Sequence, residues 1–347
     1  MSGLLSRHLV LIALALASGH DHTFEVRLHE ESGALQLLQQ KLAFGEPTLL
    51  EAAEPIYWLH CAKCGSSFIN ALIHLPGVCP LASSLVVDEQ SLGDCYMEKW
   101  KFECPEACLA KKFFCPHFSD AFPHQPIDNY TARKGALVGM FRNPEQRILS
   151  AYHDDADNFA TVNYEDHLQD LLAMHVSGSL NMSVCHQPVP GLSKVPVLEF
   201  AESWKGGMTY QLVVEHNNLH PTTQTLDPDR PKMTRADAEE AARRVREGFS
   251  FVGITEDWDL SICLLHKMFG GACQASDFED TRPSSETKSA HADYDIDELM
   301  GWHDDVDRVV YDAAVEVFQG NLIAYGVSHD SCRECYSHAE RGRVQTA

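Results

Sequence analysis

The chain has 347 residues, 44% of them hydrophobic and 22% charged, enough apolar material for a sizeable core and too much for a largely disordered polypeptide. Its 50 acidic side chains outnumber 27 basic ones, for a formal net charge of −23. That excess argues against a nucleic-acid partner, while leaving room for a small basic pocket.

In chain order, Arg7 and His8 precede an apolar run from Leu9 to Ala17, which exits through Ala17, Ser18 and Gly19. A basic start, a short apolar stretch and small exit residues describe a secretory signal peptide or short signal anchor over 1–19. The run falls short of the ~20 residues that span a bilayer, so cleavage is favoured over anchoring in the membrane. Residues 20–50 read as an N-terminal arm or stem, with a helical stretch around Leu35 to Leu42. The main domain is expected over 51–330 and a tail over 331–347.

Within that domain, Ile56 to His60 reads as a short buried strand. A glycine-containing turn, Ala62-Lys63-Cys64-Gly65-Ser66-Ser67, follows it, and Phe68, Leu72 and Ile73 then recur at helical spacing. Residues from Cys79 to Cys115 are cysteine-rich and irregular. Ala136 to Phe141 is a continuous apolar run of the kind found in buried parallel strands. Pro144 then suits the first turn of a helix through Gln146, Ile148, Leu149 and Tyr152. A helix is expected over 164–176 and a proline-rich loop from Gln187 to Pro196. Thr234 to Gly248 reads as a helix with a threonine cap, an acidic residue three positions on and a closing glycine. Phe251 to Ile254 is another strand, Leu260 to Phe269 a helix, and Ile296 to Phe318 one long amphipathic helix. Alternating helices and continuous apolar strands predict an α/β fold, with a central parallel sheet flanked by helices.

Twelve cysteines and the sequons at Asn129 and Asn181 suit an oxidising lumen. Cys61-x-x-Cys64 and Cys332-x-x-Cys335 have the spacing of zinc or redox pairs; disulfides are favoured for the C-terminal pair, and no metal is expected.

The segment from Ala62 to Phe68 carries the strongest chemical signal. A phosphate needs backbone N–H donors from a tight turn and a cation to offset its charge. Gly65 allows close approach, Ser66 and Ser67 offer hydroxyls, and Lys63 supplies the cation. The Walker pattern GxxxxGK[ST] is absent, which argues against a P-loop small-molecule kinase. Leu59 through Phe68 resembles the 5′-phosphosulfate loop of sulfotransferases that use 3′-phosphoadenosine 5′-phosphosulfate (PAPS), a P-K-x-G-[ST]-[ST] motif. Phe141-Arg142-Asn143-Pro144-Glu145-Gln146-Arg147-Ile148-Leu149-Ser150-Ala151-Tyr152 resembles their 3′-phosphate motif, R-[DN]-P-x-x-R-x-x-S-x-Y. Phe251 through Trp258, with Ser261, is similar to a late F-V-G-[IL]-T-E segment of Golgi carbohydrate sulfotransferases. Ala62 stands where that family has proline.

The resemblance implies a P-loop-like sulfotransferase fold in the Golgi lumen or secreted, with PAPS as donor, PAP as product, and a carbohydrate or other hydroxyl as acceptor. It assigns Lys63 to the leaving phosphate, and Cys64, Gly65, Ser66, Ser67 and Phe68 to the 5′-phosphate. Arg142 and Ser150 would take the 3′-phosphate. Apart from the resemblance, Arg282 is placed in a late loop that could close over that phosphate, and Arg147, on the helix, is read as bracing the site. A base must take the acceptor's proton; His117 is favoured, with His124, His60 and Glu103 as alternatives. The competing reading outside enzymes is an inactive, cysteine-rich secreted binding protein on the same fold.

Overall fold

The computed structural model describes residues 48–80, 85–87, 124, 126–154, 160, 193–214, 230–280 and 293–346. The expected leader and arm, the Leu35–Leu42 and 164–176 helices, most of the cysteine-rich stretch, and Glu103, His117, Asn181 and Arg282 lie outside these residues. Among the described residues no helix is long and apolar enough to cross a membrane.

The described part is α/β. Three parallel strands, β1 (Tyr57–Leu59), β2 (Leu137–Phe141) and β3 (Phe249–Ile254), lie side by side in that order. Tyr57 pairs with Leu137 and Leu59 with Gly139, while Val138 pairs with Phe251 and Phe141 with Ile254. β1 and β2 are buried along their whole length, and β3 over its last four residues. Strands shielded on both faces can be apolar at consecutive positions, which is why each read as an unbroken hydrophobic run.

Helices cover the sheet. After α1 (Leu49–Ala53) and β1 comes α2 (Phe68–Ile73), every residue of which is buried. A short α3 (Tyr130–Arg133) leads into β2. Asn129, in the first sequon, is exposed and caps α3 by accepting from the Ala132 N–H at 3.0 Å. Helix α4 (Pro144–Tyr152) begins with proline at its first turn, as expected, and Asn143 Oδ1 accepts from the N–H groups of Glu145 and Gln146. Next come α5 (Val197–Trp204) and α6 (Gly207–Val213), then α7 (Arg235–Gly248), whose Thr234–Asp237 capping box matches the sequence signature. Helix α8 (Trp258–Phe269) follows β3, and α9 (Asp307–Ala324) and α10 (Arg333–Thr346) complete the described chain.

Two features depart from expectation. The single helix expected over Ile296–Phe318 is instead a 3-10 turn, Ile296–Leu299, followed by a break and then α9. Met300 and Gly301 take left-handed backbone angles there, φ 48° and 80°, which a continuing helix cannot accommodate. Asp304 Oδ1 then caps α9 by accepting from the N–H groups of Val306 and Asp307. The expected tail is a helix pinned to the domain: Cys263 is bonded to Cys332 and Cys273 to Cys335. The C-terminal cysteines therefore join α10 to α8 and its following loop, and have no thiolate left for a zinc site shared with Cys61 and Cys64.

The larger core cluster runs from the strands through α2 and α8 to α9. A second, smaller one joins Ile148 and Leu149 of α4 to Phe200 and Trp204 of α5, and includes Ala62 of the turn after β1. Through Ala62, that turn is packed against the same core that seats α4.

Candidate functional site

The site lies beyond the carboxyl ends of the strands, where open parallel α/β sheets present their loops to ligands. Three loops meet there: residues 61–67 after β1, Arg142-Asn143 after β2, and Thr255-Glu256 after β3.

The first is a four-residue turn closed by the Cys64 N–H donating to the Cys61 carbonyl at 3.1 Å. Lys63 occupies its third position at φ 64°, a left-handed conformation that costs a side-chain-bearing residue of order 1–3 kcal/mol. The strain thus falls on the residue that carries the turn's only cation. Gly65 follows at φ 91°, and a Cβ there would sit 2.5 Å from Trp258 Cζ3. Glycine is thus required both for backbone angle and for room. Trp258 is itself fixed, since its Nε1 donates to the Asp277 carbonyl at 2.8 Å.

The loops are tied to one another. Arg142 Nη1 donates to the Lys63 carbonyl at 3.2 Å, and Thr255 Oγ1 donates to the carbonyls of Cys64 and Phe141 at 3.3 and 3.1 Å. The Asn143 N–H donates to Glu256 Oε1 at 2.8 Å. The two motifs found in the sequence therefore share one edge, stitched through their backbones. Arg142 also lies over the Tyr294 ring, 5.9 Å from its centroid, and Tyr294 stacks face to face on His153.

Charge in the site is balanced. The Lys63 ammonium is ion-paired with Asp154, and both side chains are largely covered. Burial pushes the Glu256 carboxyl up from its usual range, although the Asn143 N–H and the charge of Arg142 oppose this.

The remaining sequence candidates divide by what the turn leaves of them. The Cys64 N–H and carbonyl are both engaged within the turn and its ties, and its thiol is buried. Phe68 is a core residue, stacked on Phe251 with Trp58 and Trp258 at its edges, and its N–H donates to the Gly65 carbonyl. Ser66 is partly exposed, while Ser67 and Ser150 are buried. Arg147 is 1% exposed and donates through Nη2 to the Trp204 carbonyl and to Asp307 Oδ2, each at 3.2 Å, tying α4 to α5 and α9.

Of the described base candidates, His60 and His124 come together, their ring centroids 4.6 Å apart, with the His124 N–H donating to the His60 carbonyl at 3.0 Å. His60 also stacks on Trp58.

The sequence reading missed Asp154 and Tyr294, and met Glu256 only within the late F-V-G-I-T-E segment, without a role. Asp154 carried a weak signal, because it lies just beyond the helix of the second motif. Among the described residues no group of three His, Cys, Asp or Glu side chains is placed to hold a metal ion. No protein-family model, no curated protein and no solved structure matches this chain.

Proposed function

We propose that this chain is a sulfotransferase that moves a sulfuryl group from PAPS to an acceptor hydroxyl on a carbohydrate, within the lumen of the secretory pathway. The observation that carries the reading is the 3.2 Å bond from Arg142 to the Lys63 carbonyl, which holds two phosphate-type motifs at one sheet edge. The finer fold assignment, a P-loop-like sulfotransferase sheet, belongs to the same proposal. It is supported by two parallel strands that each run through a short turn into a helix.

The residues suit a nucleotide phosphorylated at both ends. Lys63 and Arg142 supply separate cations, as two separate phosphates require, and Ser66 offers a partly exposed hydroxyl. Asp154 holds the Lys63 ammonium, so an entering phosphosulfate has to take the carboxylate's place. Lys63 then offsets charge on the phosphate oxygen that departs as the acceptor oxygen bonds to sulfur in line. His117 remains the favoured proton acceptor from the sequence, and His60 and His124 are the described alternatives.

Calorimetry tests the donor half of this reading. PAP should bind more than tenfold more tightly than adenosine 5′-phosphate, and Arg142→Ala should erase most of the difference, since a charge-assisted phosphate contact is worth roughly 1.5–3 kcal/mol. Equal affinity for both nucleotides, or binding of neither, would sink the proposal; a preference for ATP would turn it toward a kinase. Labelled PAPS offered with a panel of glycans tests the acceptor half.

A further inference from the structure

The CxxC pair in the Lys63 turn has no part in the chemistry proposed above. Cys61 and Cys64 are free thiols, each 1% exposed, whereas Cys263, Cys273, Cys332 and Cys335 are all bridged and Cys79 is disulfide-bonded as well. The Cys64 Sγ donates to the Ala62 carbonyl at 3.8 Å, within the turn that Cys61 opens. The two cysteines are the first and fourth residues of that hydrogen-bonded turn. The ends of such a turn lie within ~7 Å of each other at Cα, overlapping the ~4.4–6.8 Å range that a disulfide spans. The turn is held from outside as well, by Arg142 on the Lys63 carbonyl and Thr255 on the Cys64 carbonyl.

We propose that Cys61 and Cys64 are a reversible dithiol–disulfide couple that staples the Lys63 turn in its left-handed conformation. The oxidant class that fits a buried pair is a small peroxide. One thiol attacks the peroxide to give a sulfenic acid and one water, or one alcohol from an alkyl peroxide. The second thiol then displaces the hydroxyl as water, forming the S–S bond. Two thiols lose two electrons and two protons, and the peroxide O–O bond takes them up. A dithiol reductant reverses the step by exchange through a mixed disulfide. The neighbouring Cys64 side chain, and then burial, raise the Cys61 thiol above its usual pKa, which slows its attack on a peroxide and lets the open form persist beside the structural bridges. The closed form restricts the turn when the chain unfolds and removes the freedom of Lys63 to relax out of positive φ.

The test uses the full chain and no nucleotide, so its outcome is independent of the sulfotransferase proposal. The protein is treated with mild dithiothreitol, then hydrogen peroxide, and its thiols are mapped by alkylation and peptide mass. The expected product is a peptide about 2 Da lighter that contains both Cys61 and Cys64, reopened by dithiothreitol while Cys263–Cys332 and Cys273–Cys335 stay closed. Closure should raise the melting midpoint by about 2–4 °C. The rise should vanish in the double variant Cys61→Ser/Cys64→Ser and, should that variant fail to fold, in wild-type protein alkylated at both thiols after dithiothreitol. Peroxide that leaves both thiols free, drives either to sulfinic acid, or closes the pair with a fall in midpoint overturns the proposal.

Discussion

At Lys63 two demands pull in opposite directions. The turn geometry asks for glycine at its third position, and the proposed chemistry asks for an ammonium. Comparing Lys63→Gly with Lys63→Ala separates them, because both lose the charge and the Asp154 pair but only glycine relieves the φ 64° strain. Denaturant melts should find Lys63→Gly more stable than Lys63→Ala by about 1 kcal/mol. Both should lose sulfuryl transfer by ~10²–10³-fold or more. Equal stabilities would mean that the turn is unstrained, and near-normal transfer in either variant would remove Lys63 from the mechanism. Lys63 and Arg142 were legible in the sequence because each follows a strand whose apolar run is easy to see. The pairings of Asp154 and Glu256 were not, since these residues reach Lys63 and Asn143 from 91 and 113 residues away. One sequence carries no signal for pairings that only the fold creates.

At the scale of elements, the start of α9 concentrates the most perturbed chemistry. Asp304 is buried beside Asp307, and desolvation first, then the charge of Asp307, raises its carboxyl to about 7. The folded protein therefore holds this proton more tightly than the unfolded chain, where the ordinary value is 3.8. This group's contribution favours the folded state at low pH and is lost as pH rises toward 7, over a total of a few kcal/mol. Melting midpoints should fall between pH 5 and 7, and the slope should flatten in Asp304→Asn. An unchanged slope in that variant would assign the effect elsewhere. The carboxamide introduced by Asp304→Asn would keep an acceptor for the α9 cap but face the Gly206 N–H with a donor, so some loss of stability is expected as well.

Legibility followed the local signals. The Thr234 capping box and the Pro144 turn are written in neighbouring residues and appeared where expected. The break at Met300-Gly301 was missed because apolar spacing continues across it, and only backbone angles mark the interruption. Helices α5 and α6 went unread, the second being short and opening on consecutive glycines at 206 and 207, which ordinarily signal a loop.

Across the whole molecule, a parallel α/β order was readable from strands that are apolar at every position, because burial on both faces leaves no alternation to confuse. The C-terminal helix was not, since nothing in residues 331–347 shows which cysteines they meet. Cys335→Ser should lower unfolding stability by roughly 2–5 kcal/mol, as the lost bridge spans 62 residues and no longer restrains the unfolded chain. Protease cleavage within residues 333–346 should appear in the same variant under native conditions. A midpoint equal to that of the wild type would show that packing and the Cys263–Cys332 bridge suffice to hold α10.

The bridges also set an order of events during synthesis. Cys263 and Cys273 emerge 69 and 62 residues ahead of their partners. Strand β3 and helix α8 must therefore be made, and can begin to pack, while both sulfurs are still without their final mates. Through that interval Cys263 and Cys273 can trade with any earlier cysteine of the chain. In an oxidising compartment, wrong pairs made before residues 332 and 335 arrive would have to be undone by thiol–disulfide exchange.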